Sequence, residues 1–390
     1  MTRIKKQKKA PEKPTYGMVG GGEGAFIGEV HRKAIAMDGK ADLVAGCFSR
    51  DFKNTRNTGE MLGLDPSRLY PTYTDMFEKE SQKEDGLDFV VIVTPNNTHF
   101  PISEAALEHG IHVVCDKPLA ITSLESERLA EISDEKDLLF CVTYTYTGYP
   151  MVKQMKTMIA NGELGKIRFI NAEYPQEWLS KPIEKEGQKQ SVWRTDPSQS
   201  GASNCVGDIG SHIENMVSYL TGLKITSLCA RLDTFVEGRI LDDNASILLE
   251  YDSGAKGLYW SSQIAIGHDN GLRVRIYGEK ASIEWFQEDP NSFRVSYLDK
   301  PTEIMSRGRD KMYPAAERVS RVPAGHPEGY FEAFANIYST FITALDKKTN
   351  KKPLEKEDTD YPGVKEGYQG VRFIERCVES SQKGAVWVDF

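Results

Sequence analysis

Three short stretches of this chain put reactive residue types where chemistry is usually done. Val93-Thr-Pro-Asn-Asn-Thr-His99 and Asp116-Lys-Pro-Leu-Ala120 each leave the C-terminal end of an apolar run, and Gly207-Asp-Ile-Gly-Ser-His212 opens a stretch with helical spacing. In α/β sheets, ligands bind outside the carboxyl ends of the strands. Asp208 and His212 are spaced i, i+4, which on a helix places them on one face. A Lys, an Asp and a His together suit alcohol oxidation: one group takes the hydroxyl proton, another polarises the oxygen, and a cofactor takes the hydride. Each stretch alone has a plainer account, an exposed turn lysine or an ordinary charged pair at a helix start. Three of them in order at strand and helix ends argue against coincidence.

A cofactor site is legible upstream. Tyr16-Gly-Met-Val19 runs into the glycine cluster Gly20, Gly21, Gly22, Gly24 and Gly28, and His31 to Met37 then has helical spacing. A strand, a glycine cluster and a helix make the context in which backbone N–H groups hold a pyrophosphate. Gly20, Gly22 and Gly24, with Phe26 and Ile27 at the helix start, are the candidate contacts. Gly28 comes two residues too late for G-x-G-x-x-G, so the loop is lengthened. At the end of the second strand, an acidic residue normally holds the adenosine ribose. This chain has Ser49-Arg50 there. A hydroxyl and a guanidinium suit a 2′-phosphate, which favours NADP. An arginine stacked on adenine in an NAD site, or one free in solvent, fits the same residues.

The elements that must position these groups follow from periodicity. Strands at 16–19, 41–48, 88–93, 111–115 and 138–142 alternate with helical stretches near 31–37, 52–62, 73–80, 102–109 and 123–135. That alternation predicts βαβ units and a doubly wound parallel sheet, an α/β Rossmann domain over residues 15–142. After a helix at about 149–161, alternating segments dominate at 166–174, 224–236, 244–251, 255–265, 272–278 and 292–298. They predict an α+β domain over 143–390 with an open, mainly antiparallel sheet, for substrate binding and oligomerisation. Helices at about 327–346 and 364–382 close the chain, the last free to pack back on the first domain. Residues 1–14 read as a disordered basic tail rather than a nucleic-acid arm or signal peptide.

Composition bounds the function. The 390 residues carry 49 Lys+Arg against 57 Asp+Glu, a formal net charge of −8, which argues against phosphate-mediated nucleic-acid binding. The purest apolar run, Phe89-Val-Val-Ile-Val93, is strand length and not a membrane span. Six scattered cysteines without C-x-x-C read as reduced thiols, which argues against structural zinc and suits a cytoplasmic protein. No metal site is expected.

Taken together, the glycine loop with His31, T-P-N-x-x-H at Thr94–His99, D-K-P at Asp116–Pro118 and D-I-G-x-H at Asp208–His212 resemble the glucose–fructose oxidoreductase / inositol dehydrogenase (Gfo/Idh/MocA) family. Asn161-Gly-Glu-Leu-Gly165 and Trp193-Arg-Thr-Asp-Pro197 look like this family too, whereas Asp116 stands where the family usually has Glu. The resemblance implies that Lys117, Asp208 and His212 form the catalytic set. His212 would accept the proton, Lys117 would donate to the reacting oxygen, and Asp208 would orient the pair. It also implies that Thr94, Pro95, Asn96, His99, Asp116, Lys117 and Pro118 serve the cofactor, NAD or NADP. Candidate sugar contacts, besides the catalytic three, are Tyr144, Tyr146, Trp178, Trp193, Arg194 and His326, since polyols take hydrogen bonds and stack C–H faces on aromatic rings.

The expectation is therefore a cytoplasmic NAD(P)-dependent dehydrogenase of a sugar, sugar derivative or cyclitol, as a homodimer or homotetramer. An open sheet with one uncovered face commonly buries it against a copy. Two rivals share the fold: an NAD-dependent glycosidase, in which transient oxidation assists elimination, and a non-catalytic nucleotide or sugar sensor. A sensor would be expected to lack the Lys or the His. Tyr149-Pro-Met-Val-Lys153 matches the Y-x-x-x-K of short-chain dehydrogenases, but the glycine loop of that fold is absent.

Overall fold

Alternating apolar runs and amphipathic stretches build two sheets joined by helices, in a computed structural model that describes residues 13–309 and 312–390. Residues 1–12 of the expected basic tail lie outside the described residues. The first sheet uses β1 (Thr15–Gly20), α1 (Phe26–Met37), β2 (Asp42–Cys47), α2 (Phe52–Met61), α3 (Tyr73–Glu80), β3 (Phe89–Val93), α4 (His99–Glu108), β4 (His112–Cys115), α5 (Ser123–Glu135) and β5 (Phe140–Val142). Its five strands are parallel, in the order β2-β1-β3-β4-β5. All of β3 is buried, as a strand covered on both faces must be. The chain leaves β1 for β2 on one side and returns to β3 on the other. The carboxyl ends of β1 and β3, at Gly20 and Val93, therefore form the switch point where such sheets bind ligands.

The second part contains α6 (Pro150–Ala160), β6 (Ile167–Pro175), the short helices α7 (Lys189–Arg194) and α8 (Pro197–Ser200), and α9 (Ser211–Thr221). The strands β7 (Ile225–Asp233), β8 (Asn244–Tyr251), β9 (Lys256–Ser262), β10 (Arg273–Gly278), β11 (Ala281–Phe286), β12 (Ser292–Tyr297) and β13 (Glu303–Ser306) follow. The chain ends through α10 (Pro314–Glu317), α11 (Tyr330–Thr349), α12 (Val364–Gln382) and β14 (Val388–Asp389). The nine strands order as β13-β12-β11-β10-β6-β9-β8-β7-β14, antiparallel except where β6 meets β9. One face packs Met155, Ile213, Val217 and Phe373 of α6, α9 and α12 against Ile170, Ile247, Tyr259 and Ile276. On the other face, Phe169, Leu248 and Tyr277 are exposed, and the ion pairs Arg273–Glu284 and Arg275–Glu173 stand further along β10.

The two closing helices tie the parts together. The apolar stripe of α11, with Phe334, Ile337, Tyr338, Phe341 and Leu345, shares a core with Tyr16, Met18, Phe89 and Val91 of β1 and β3. This late helix therefore covers the first sheet. Buried His31 on α1 faces it, Nδ1 lying 2.5 Å from the Tyr338 hydroxyl. Helix α12 lies against both α5 and β7. Gly370 lets α12 pass close to Tyr144, since a Cβ there would sit 2.3 Å from the Tyr144 hydroxyl.

Candidate active site

The lengthened glycine loop keeps the contact on which a dinucleotide turn depends. Gly20 and Gly21 have φ of +84° and +72°, a region that favours glycine. A Cβ on Gly28 would lie 2.3 Å from the Gly21 Cα, so α1 crosses the loop at a distance only glycine permits. The extra residues form a side loop fastened to α2, where Glu23 N–H donates to Asn54 Oδ1 at 3.1 Å and to Thr58 Oγ1 at 3.0 Å. No side chain caps the start of α1. Its first N–H groups are thus left to an anion, which is the donor set a diphosphate needs. Ser49 and Arg50 stand at the far end of this rim.

His99 ties together the two loops that follow β3 and β4. It is buried, with Nε2 2.8 Å from the Thr94 carbonyl and Nδ1 2.8 Å from the Pro118 carbonyl. Burial lowers its pKa, opposed by Asp116 and by these two carbonyls. Across the cleft, Asn96 Nδ2 donates to the Ser200 carbonyl at 3.0 Å, joining the β3 loop to α8. The segment containing α7 and α8 is held from behind by buried Arg239, which donates to the Leu179 carbonyl at 3.0 Å and pairs with Glu184 at 3.1 Å and Asp243 at 3.2 Å. From this segment Lys189 Nζ comes within 3.5 Å of the Gly24 carbonyl.

Lys117, Asp208 and His212 meet on the floor of the cleft. Lys117 Nζ lies 2.8 Å from Asp208 Oδ1 and 2.5 Å from the Asp208 carbonyl. Asp208 sits in a π-helical turn, Val206–Gly210, immediately before α9, and Ser211 N–H bonds back to the Val206 carbonyl. Such widened turns recur at functional sites. Burial pushes the Asp208 carboxyl up, but Lys117 and then Arg194, whose Nε is 3.3 Å away, overcome this and hold it below the usual range. Burial, reinforced by the Lys117 charge and opposed by Asp208, keeps the His212 pKa well below its ordinary value. The imidazole is therefore neutral at pH 7. Its ring lies 4.8 Å from that of Tyr146 and 5.4 Å from that of Tyr144.

A cleft of about 770 Å³ runs from the glycine loop to these residues. Gly20, Gly22, Phe26, Ile27, Ser49, Arg50, Thr94, Pro95, Asn96, Asp116 and Lys117 line it, as do Tyr146, Trp178, Trp193, Arg194, Asp208 and His212. Five expected contacts are absent from its wall. Gly24 turns the side loop at φ +80°, and His99 and Pro118 are joined behind the surface. Tyr144 is buried among the first sheet's core residues and backs His212 rather than facing ligand. His326 is exposed on the loop before α11, where Arg307 holds the Val322 and His326 carbonyls and draws the loop away from the cleft.

Sequence reading missed Tyr174, Gln176, Asn270, Gln287 and Tyr330, which line the same space. Asn270 accepts from the Tyr174 hydroxyl at 2.5 Å and donates to the Tyr146 hydroxyl at 3.3 Å. Tyr330 stands four residues after His326, at the start of α11.

An anion-ready helix start at a switch point, continuous with a neutral imidazole and a lysine–carboxylate pair, defines a dinucleotide-dependent oxidoreductase. The model of the oxidoreductase family with NAD-binding Rossmann fold matches residues 15–144, and that of the GFO/IDH/MocA C-terminal domain matches 152–284. The chain belongs to the Gfo/Idh/MocA family and is an NAD(P)-binding oxidoreductase. It is 38% identical over 381 residues, 96% of each chain, to the uncharacterized oxidoreductase YfiI of Bacillus subtilis. An inositol dehydrogenase homolog from Azotobacter vinelandii, complexed with NADH and myo-inositol, is 39% identical, with a TM-score of 0.90 over 97% of this chain and 98% of that one. A levoglucosan dehydrogenase from Pseudarthrobacter phenanthrenivorans is 28% identical over 328 residues, 77% of this chain and 79% of that one. Among the described residues, no helix is long and apolar enough to cross a membrane.

Proposed function

We propose that this protein oxidises a secondary alcohol of a sugar, sugar derivative or cyclitol, with NAD or NADP as acceptor. The observation that carries the reading is the floor of the cleft, where a neutral His212 and a charge-paired Lys117 stand at the end of a channel that begins at the glycine loop. The nicotinamide supplies the hydride acceptor when bound. Lys117 donates to the reacting oxygen, and its ammonium stabilises negative charge developing there. His212 takes the hydroxyl proton, for which a neutral ring is required. Asp208, ionised and 2.8 Å from Lys117, fixes where that ammonium points. Tyr146, Tyr174, Trp178, Trp193, Arg194 and Asn270 offer the mixed stacking and hydrogen-bonding wall that a polyol fits.

Cyclitols and anhydrosugars are the leading substrate classes, because relatives of those names are similar over most of the chain. Ser49 and Arg50 read the adenosine ribose, with Arg50 favouring the 2′-phosphate. We also propose a homo-oligomer formed through the open face of the second sheet. The test is nicotinamide absorbance against inositols, aldoses, anhydrosugars and glycosides, with NAD and NADP in parallel. Reduction with one substrate class is expected. Tight nucleotide binding without net reduction across the panel overturns the reading in favour of a redox-assisted glycosidase or a sensor.

A further inference from the structure

Gln263 follows β9 directly, and its side chain is fully buried. Its Nε2 donates to Asp208 Oδ2 at 2.9 Å, and its Oε1 accepts from Asn204 Nδ2 at 2.7 Å. The same Asn204 Nδ2 also donates to the backbone carbonyl of Asp242 at 3.3 Å. A carbonyl has no proton to give, so this last bond fixes which way round Asn204 sits. Asn204 must then offer N–H to Gln263, Gln263 must answer with its oxygen, and the Gln263 NH₂ is left to face Asp208. Donation therefore runs outward from the Asn204 NH₂, to the Asp242 carbonyl on one side and through Gln263 to the Asp208 carboxylate on the other.

Both amides are firmly seated. Gln263 N–H donates to the Asp243 carbonyl at 2.9 Å, and its own carbonyl accepts from Leu179 N–H at 3.0 Å. Asn204 N–H donates to Asp242 Oδ1 at 3.0 Å, while Asp242 Oδ2 accepts from the Ser203 hydroxyl at 2.9 Å and Val206 N–H at 3.1 Å. Among the described residues only Asn204 Oδ1 of this network lacks a hydrogen-bond partner; the bonds to backbone at both ends hold the two amides in place.

We propose that Gln263 is a positioning residue that holds Asp208 as an acceptor through Oδ2 and thereby turns Oδ1 toward Lys117 and Arg194. The inference rests on the reading above that Asp208 orients Lys117. Oδ2 is closed to a proton by the amide, and Oδ1 faces two cations, so the proton taken by His212 has no resting place on Asp208. The groups that face Asp208 are Lys117 at the end of β4, Arg194 on α7, His212 on α9, the hydroxyls of Tyr146 and Tyr174, and the Cys205 thiol. Those around Gln263 are Asp208, Asp242 and Asp243, the last paired with Arg239.

The test is Gln263→Glu, which keeps the shape and replaces the donor with an acid. An ionised Glu sets acceptor against acceptor, whereas a protonated Glu accepts from Asn204 and donates to Asp208 as Gln does. With the substrate found in the panel, kcat should fall at least about tenfold near pH 9, with KM for the nucleotide within about twofold, and the ratio of variant to native kcat should climb about tenfold on acidification to about pH 6. In the unliganded protein the Tm deficit should shrink over the same range. A ratio that is flat with pH, or native turnover throughout, overturns the proposal. Gln263→Leu keeps the volume and removes the donor; in it the ¹³C carboxyl titration of Asp208 should move up by about one unit or more, and no movement overturns the proposal. Asp208→Asn, run alongside, separates the two readings. Native turnover in Asp208→Asn sinks the role of Asp208 itself, while loss there with an unaffected Gln263→Glu sinks only the role of Gln263.

Discussion

Arg50 and His212 show how differently two single residues disclose themselves. Arg50 is exposed beside Ser49 at the end of β2, on the rim of the cleft. Its guanidinium can pair with a 2′-phosphate, a contact worth about 1.4 kcal/mol for each tenfold preference. Arg50→Ala is expected to lower kcat/KM with NADP relative to NAD by about tenfold, read from initial rates; an unchanged ratio removes the reason for favouring the phosphate. Lys117→Ala and His212→Ala are each expected to cost about 10²–10⁴-fold in kcat, and near-native turnover in both would defeat the mechanism. Because the His212 pKa is lowered by burial, the native enzyme should keep its base unprotonated as pH falls past the ordinary histidine value of about 6.5, a profile read from kcat/KM against pH. The sequence disclosed Lys117, Asp208 and His212 because each lies at a strand end or helix start. It did not disclose Gln263, Asn270 or Tyr330, whose places depend on which strand pairs with which. His326 misled for a related reason: nothing local says that Arg307 will draw its loop elsewhere.

At the scale of elements, α9 carries His212 into the cleft while burying a carboxyl on its other side. Glu214 is buried, and burial first, then the neighbouring Glu366, push its pKa up to about 8. The folded-state pKa exceeds the unfolded one, so the group is best tolerated below about pH 4.5 and weighs against folding as pH rises toward 8. Glu214→Gln should therefore raise Tm at pH 8 and leave it nearly unchanged at pH 5, measured by thermal unfolding of the unliganded protein. An equal shift at both values would show that the carboxyl is not the cause. Most elements were legible, since β3 is an unbroken apolar run and β8 alternates along its length. The glycine loop looked misspaced only because its inserted residues fold aside onto α2, leaving Gly21 and Gly28 to meet as a shorter loop would. What periodicity does not carry is assignment. The stripe on α11 says that the helix is covered, and says nothing about which sheet covers it.

At the scale of the whole molecule, the described residues leave a large face of the second sheet uncovered. Phe169, Leu248 and Tyr277 stand there beside ion pairs, a mixture that suits a partner face of the same kind. A double variant, Phe169→Asp with Leu248→Asp, is expected to yield a smaller species in light scattering with a cleft that still binds nucleotide. A native protein that is already monomeric at micromolar concentration would remove that role for the face.

The placement of α11 also fixes an order of events during synthesis. Tyr16, Met18, Phe89 and Val91 are all made before residue 92, yet the helix that completes their cover spans Tyr330–Thr349. The nucleotide-binding half thus cannot finish closing as it leaves the ribosome: α1 covers part of that face through Val30, Ala34 and Ile35, and the rest waits until Thr349 has been translated. An isolated fragment ending after β5 would remain in that waiting state. For the cell, the hazard lies in the interval between the first strand and α11, when the protein's own packing shields that face only in part.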